Sequence, residues 1–129
     1  ITMPDQRYAQ YLKGCDFIQR YIFPGSCVPS LGAINEAVRQ RTDLKMVDLE
    51  DIAPHYAETL RRWRDNFNAH REDIRALGYP ERFIRLWNYY FCYCEAGFDE
   101  RYLSDLQIVL TRPKWRGEVP RRLGNGSSF

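Results

Sequence analysis

A chain of 129 residues with 44% hydrophobic and 15% aromatic residues can bury one core of ordinary size and is too apolar to be disordered. A formal charge of +2 with 28% charged residues makes no electrostatic demand for nucleic acid, and none is expected as a partner. No run of about twenty apolar residues occurs, so any lipid has to be met from the surface or in a cavity rather than by a spanning helix.

In chain order, Ile1-Thr2-Met3 reads like the end of a strand, and the chain reads as a piece of something longer. Pro4 to Gly14 is a polar link in which Tyr8, Tyr11 and Leu12 can share one short helical face. Asp16 to Ile22 predicts a helix, with Phe17, Tyr21 and Ile22 at helical spacing, and Phe23-Pro24-Gly25 must break it. Pro29-Ser30 sets up the next N-terminus. Ser30 is the expected N-cap of a helix that carries Leu31, Ile34 and Val38 on its apolar side and ends near Arg41. Helix, apolar elbow and helix within so short a stretch are the makings of a lid or a pocket wall.

Lys45 to Glu50 alternates Val47 and Leu49 with Asp48 and Glu50, which predicts a half-buried strand. From Pro54, a good first helical residue, Tyr56, Leu60, Trp63, Phe67, Ile74 and Leu77 follow one face, so a single long amphipathic helix is expected up to Gly78. Pro80 opens another helix with the stripe Phe83, Trp87, Tyr90, Cys94 and Phe98. Ile84, Leu86, Tyr89, Phe91 and Tyr93 fill its other directions, so it should be covered on more than one side. Leu103 to Thr111 is the second expected strand, stopped by Pro113. Lys114 to Phe129 is a basic tail, rich in Gly and Ser, with Trp115, Val119 and Leu123 as its anchors, and is expected to be flexible.

Chemistry-bearing motifs are mostly absent. There is no Walker loop, no G-x-S-x-G, no H-E-x-x-H and no glycine-rich strand-to-helix turn, and no metal is expected. The four cysteines, Cys15, Cys27, Cys92 and Cys94, have neither C-x-x-C nor zinc spacing and no secretory signal before them, which predicts reduced, buried, cytosolic thiols. His55 and His70 are too far apart along one helix to share a metal. The pairs Glu50-Asp51 and Asp99-Glu100 fall at helix boundaries, where carboxylates cap. Tyr56 stands out because it sits in a first helical turn on the apolar face, where its hydroxyl needs an interior partner. A core tyrosine bonded to a backbone carbonyl is the simpler reading; a ligand-facing phenol beside a hydrophobic channel is the other.

Four segments now carry a resemblance. DFIQRYIFPGSCVPS from Asp16 to Ser30, IAPHYAETLRRW from Ile52 to Trp63, FIRLWNYYFCYCEAGF from Phe83 to Phe98 and LQIVLTRP from Leu106 to Pro113 occur in the order found in the cyclopropane-fatty-acyl-phospholipid synthase family. Together they resemble the C-terminal part of these lipid-modifying methyltransferases. The resemblance implies a mostly helical α+β fragment of a class I S-adenosylmethionine methyltransferase (Rossmann-like) fold: residues 1–113 as a helical substrate cover with two antiparallel edge strands, and 114–129 as the tail. It further implies a whole enzyme that transfers a methyl group from S-adenosylmethionine to the cis double bond of an unsaturated phospholipid acyl chain and closes a cyclopropane. Bicarbonate would receive the proton, positioned by Tyr56 and by residues upstream of Ile1. The acyl chain would meet Phe17, Tyr21, Ile22 and Phe23 of the elbow, Leu60 of the first long helix, and Tyr90 and Cys94 of the second.

Two departures stand out: Ser26 replaces a glycine usual in the elbow, and Val28 replaces a leucine. The cofactor-binding part would precede Ile1, so the piece alone is expected to be inactive. The enzyme is expected in the bacterial cytoplasm, peripheral to the inner membrane surface. A non-catalytic helical module for a lipid or a partner helix is the alternative, and self-association through unpaired strands is a further expectation.

Overall fold

The structure, a computed structural model, describes residues 1–119. The two alternating segments find each other across the intervening helices. β1 (Lys45–Asp51) and β2 (Leu106–Thr111) form an antiparallel two-stranded sheet, running from Lys45 opposite Thr111 to Asp51 opposite Leu106. A bulge between Met46 and Asp48 makes Val47 the extra residue, and it is exposed instead of facing inward with Leu49 as strict alternation predicts. β2 starts three residues later than expected because the preceding helix claims Leu103. The N–H groups of Tyr102 and Leu103 both donate to Gly97 O at 2.9 Å, past Arg101 in the left-handed region at φ 55. Ser104 pairs with Thr2 through reciprocal bonds of 2.8 and 2.9 Å, and Met3 bridges Ser30, so Ile1 to Met3 is extended and anchored.

The polar link holds a short helix, α1 (Asp5–Tyr11), whose Asp5 carboxylate accepts from Gly32 N–H at 2.9 Å. The elbow is wider than an α-helix. Residues Ile18–Ile22 form a π-turn closed by Phe23 N–H to Ile18 O at 2.8 Å. A reciprocal capping pair starts it: Gln19 N–H donates to Asp16 Oδ1 (2.8 Å) and Asp16 N–H to Gln19 Oε1 (2.9 Å). Gln19 Nε2 then reaches Ser26 O (3.1 Å), bracing the turn around Gly25 at φ 82. Ser30 caps α2 (Leu31–Arg41) as expected, accepting from Ala33 N–H at 3.2 Å.

The expected single helix up to Gly78 is two, α3 (Ala53–Ala69) and α4 (Arg71–Ala76), because His70 leaves the α region at φ −105, ψ 25. Its imidazole Nδ1 engages Asn66 O at 2.8 Å, next to that carbonyl's helical bond, and the axis breaks there. Gly78, at φ 88, reverses the chain into α5 (Glu81–Asp99). The fully buried line on α5 is Ile84, Phe91 and Phe98, while Phe83, Trp87, Tyr90 and Cys94 are half-buried beside it. The core lies between α3 and α5 and is made of Ala53, Ala57, Leu60, Phe91 and Phe98. Two expected stripe members leave it: Trp63 is exposed at the edge and touches Tyr56, and Leu77 is carried away by the break at His70.

The four thiols are free, but Cys15, Cys27 and Cys92 are exposed, and only Cys94 is half-buried. Cys92 lies on an exposed face of α5, where the Arg64 guanidinium comes within 2.9 Å of its sulfur. Among the described residues no helix is long and apolar enough to cross a membrane, and no His, Cys, Asp or Glu cluster is arranged to hold a metal ion. The anchoring of Leu123, the basic pair Arg121 and Arg122, and the rest of 120–129 lie outside the described residues.

Candidate functional site

Asp51, at the end of β1, accepts from Ala53 N–H (3.0 Å) and Asp105 N–H (3.3 Å), and so fixes where α3 leaves the sheet. Burial raises the Asp51 carboxyl. The bonds from Ala53, Ser104 and Asp105 and the charge of Arg101 outweigh this and hold it below its ordinary 3.8. One turn later comes Tyr56. Its ring meets Phe98 edge-on at 4.9 Å and Trp63 at 6.0 Å, and its hydroxyl makes no hydrogen bond among the described residues. Burial, then the charges of Asp105 and Cys94, raise its pKa above the ordinary 10.0.

Tyr90 and Cys94 face the same region from α5, one turn apart. Burial first, then its interactions with Cys94 and Tyr56, push Tyr90 up to about 12. Burial pushes Cys94 up to about 11, and its hydrogen bond with Tyr90 pulls it back only in part. Near neutral pH the group of two phenols and a thiol is therefore fully protonated and uncharged.

A largely apolar cavity of about 440 Å³ opens beside this group, between the elbow, Ile1 to Met3 and the C-terminal half of α5. Met3, Tyr11, Ile18, Tyr93, Cys94 and Leu103 form most of its wall. The volume is that of an ordinary small-molecule site. Val28 is also on the wall and donates its N–H to the Tyr11 hydroxyl at 3.1 Å, so the replaced elbow position does border the cavity. Asp16 reaches the rim, with its carboxylate engaged in the elbow's capping pair.

Of the seven residues expected to meet an acyl chain, Cys94 lines the cavity directly. Phe17 is one ring removed, edge-on to Tyr89 at 4.6 Å and 5.6 Å from the cavity-lining Tyr93. Phe23 packs on Tyr90 at 6.0 Å. Tyr21 lines a separate groove with Pro80, Arg82, Phe83 and Leu86, Ile22 is half-buried, and Leu60 is sealed in the core. Sequence reasoning passes over Tyr11, Tyr93 and Leu103 as site residues. The available signal is the i, i+4 pair Tyr89 and Tyr93 on the α5 face that meets Phe17.

A helical hairpin thus rises from an antiparallel strand pair, with an apolar cavity and neutral donors at its base. Its family is then established by comparison. The sequence pattern described as mycolic acid cyclopropane synthetase matches residues 1–108, and the chain belongs to that family. It is 45% identical over 112 residues to the tuberculostearic acid methyltransferase UfaA1 of Mycobacterium tuberculosis, covering 87% of this chain and 26% of that protein. It is 33% identical over 96 residues to the cyclopropane-fatty-acyl-phospholipid synthase of Escherichia coli strain K12, covering 74% of this chain and 24% of that protein. The solved mycolic acid cyclopropane synthase CmaA1, complexed with SAH and CTAB, aligns at a TM-score of 0.67 and 26% identity over 81% of this chain and 35% of its own. The chain spans about a quarter of the length of the curated relatives it matches.

Proposed function

We propose that residues 1–113 are the C-terminal, acyl-chain-binding and active-site-completing part of an S-adenosylmethionine-dependent enzyme that methylates the cis double bond of unsaturated phospholipid acyl chains and closes a cyclopropane. The observation that carries this reading is the apolar cavity set against the neutral group of Tyr56, Tyr90 and Cys94, all inside the family-matched stretch. The solved relative's complex with SAH, the demethylated form of the methyl donor, and with CTAB, a single-chain amphiphile, supports the same pairing of cofactor and chain.

The described residues hold no glycine-rich strand-to-helix turn, so they do not fit S-adenosylmethionine; in this reading other parts of the full-length enzyme bind it. Bicarbonate fits at one point. The Tyr56 hydroxyl is partly withdrawn from water, protonated and unpartnered among the described residues, so it offers a single donor to an anion, and the remaining donors must come from elsewhere. When bound, the first supplies the methyl group and the second takes the proton whose loss closes the ring. The chain's own part is to exclude water, to present aromatic faces that stabilise positive charge and to withhold nucleophiles. A thiol held near 11 is almost wholly protonated at neutral pH, so Cys94 sits by the reacting chain without competing for the methyl group. The enzyme would work in the cytoplasm, peripheral to the inner membrane surface, and Ile1 to Phe129 alone would be inactive. Isolated, the chain would self-associate through the outer edges of β1 and β2; light scattering that finds a clean monomer at high concentration counts against this.

Lipid analysis of cells producing the full-length enzyme tests the main reading. Wild type should yield cyclopropane chains and Tyr56→Phe about a hundredfold less, the scale of losing one preorganised donor. Undiminished product from the variant removes Tyr56 from the chemistry. A second reading, methyl transfer without ring closure, is favoured by the higher identity to a methyltransferase than to the Escherichia coli cyclopropane synthase. The same analysis separates the two, because loss of the proton without ring closure leaves a branched alkene isomeric with the cyclopropane, and proton NMR tells its vinylic signals from the ring's high-field ones.

A further inference from the structure

The tip of the α3–α5 hairpin leaves its largest apolar side chains in solvent. Leu77 and Tyr79 flank the reversal at Gly78 and are 76% and 47% exposed, and Tyr21 and Phe23 of the elbow stand beside α5 at 50% and 48%. Two cations border this patch. Arg82 lines the groove with Tyr21, and the Arg20 guanidinium lies 5.4 Å above the Tyr21 ring; neither makes an ion pair among the described residues. Tyrosines with an exposed leucine and unpaired arginines at a loop tip have the chemistry of a group that settles into a lipid headgroup layer.

The patch also leads somewhere. Tyr79 stacks on Phe83 at 4.4 Å, Phe83 and Tyr21 share a groove, Tyr21 meets Phe17 at 5.8 Å, and Phe17 meets the cavity-lining Tyr93 at 5.6 Å. This aromatic track follows α5 from Phe83 to Cys94, about 16 Å at 1.5 Å per residue. One leaflet of a bilayer is about 15 Å deep in hydrocarbon, so the track has the length of an acyl chain.

Resting on the lipid-methyltransferase reading above, we propose that the hairpin tip and the elbow together dock on an anionic phospholipid surface, from which a chain passes along the aromatic track to the cavity. A membrane is favoured over an acidic carrier protein because the most exposed groups at the tip, Leu77 and Tyr79, are apolar.

The test is sedimentation of the full-length enzyme with vesicles of dioleoyl phosphatidylglycerol and phosphatidylethanolamine. The variant Leu77→Glu should lower the bound fraction about fivefold. Its turnover of the same lipid dispersed in detergent should stay within about twofold of wild type. Leu77→Trp should strengthen vesicle binding while its melting midpoint and its sedimentation without vesicles stay those of wild type, which separates the gain from misfolding. Vesicle binding indifferent to both variants overturns the proposal. So does wild-type enzyme that ignores vesicles but forms a tip-dependent complex with an acidic acyl carrier protein. If binding depends on the tip but wild type makes no methylated or cyclopropane product from either form of lipid, the surface stands and the functional reading falls.

Discussion

The two ends of the α3–α5 hairpin are made of similar residues and finish in opposite states. At the base, Ala53 and Ala57 let the helices approach, Leu60 and Phe98 are sealed between them, and Tyr56 crosses Phe98 edge to face. At the tip, Leu77 and Tyr79 are as apolar as anything in the core and stand in solvent, while α4 is tied to α5 by Arg75, which pairs with Glu72 and with Glu81 at 2.8 Å. Small residues and facing rings decide where the core forms; hydrophobic stripes alone do not.

The sharpest way to break this contrast is to hollow the base. Phe98→Ala should destabilise the fold by about 3–5 kcal/mol and Leu60→Ala by about 2–5 kcal/mol, since both are fully enclosed and their neighbours have little room to collapse. Thermal unfolding of the full-length enzyme should show the loss as a lowered midpoint, and an unchanged midpoint would mean that the enclosure is not what holds the base.

A smaller effect is expected halfway along the hairpin. Arg64 comes within 3.1 Å of Glu95 Oε2 yet directs its N–H at Cys92, so this solvent-sealed oxygen is held by charge and not by a hydrogen bond. Arg64→Ala takes that charge away from Oε2, while Arg61 still holds Oε1 at 3.0 Å, and should cost about 1–3 kcal/mol, read from the same melting curves. Glu95→Gln in the same background should recover most of that loss. Failure to recover it would assign the effect to the lost packing of the arginine stem instead.

Much of this architecture was legible in the residues. The N-cap Ser30, the stop at Gly78 and the extended first residues follow from capping, backbone freedom and alternation, which act locally, whereas the antiparallel pairing of the two strands came from the resemblance alone. What escaped was set by side-chain bonding choices and by contacts across the chain that periodicity does not encode. Nothing near His70 in sequence announces that its ring will engage Asn66 O, and nothing in Lys45 to Glu50 announces a bulge, since register depends on the partner strand. On α5, where nearly every direction is apolar, periodicity could not tell the sealed line Ile84, Phe91, Phe98 from its half-buried neighbours. The site followed the same rule. Cys94 and Val28 could be named from the resemblance, while Tyr11 and Tyr93 reach the cavity only because the elbow folds back over α5.

The junction of sheet and hairpin provides a pH test. Asp51 is held below its ordinary 3.8 in the folded chain, so its contribution is present above that value and is lost as pH falls through the lower folded value. The group is exposed, so the contribution is below about 1 kcal/mol. Comparing melting midpoints of wild type and Asp51→Asn, the gap should be open at pH 6 and closed near pH 2; a gap constant with pH would show that the carboxylate's charge is not what anchors α3.

The least effect is expected at the tip itself. Leu77 loses little water-exposed area on folding, so Leu77→Ala removes few contacts and should change stability by less than about 0.5 kcal/mol. The measurement is informative because it is made in the full-length enzyme. If other parts of that enzyme covered the tip, Leu77 would be an enclosed side chain there and its truncation would lower the melting midpoint as hollowing the base does. A midpoint that stays fixed while Phe98→Ala lowers it shows that the tip remains open in the complete molecule, which is the condition any surface docking by Leu77 and Tyr79 requires.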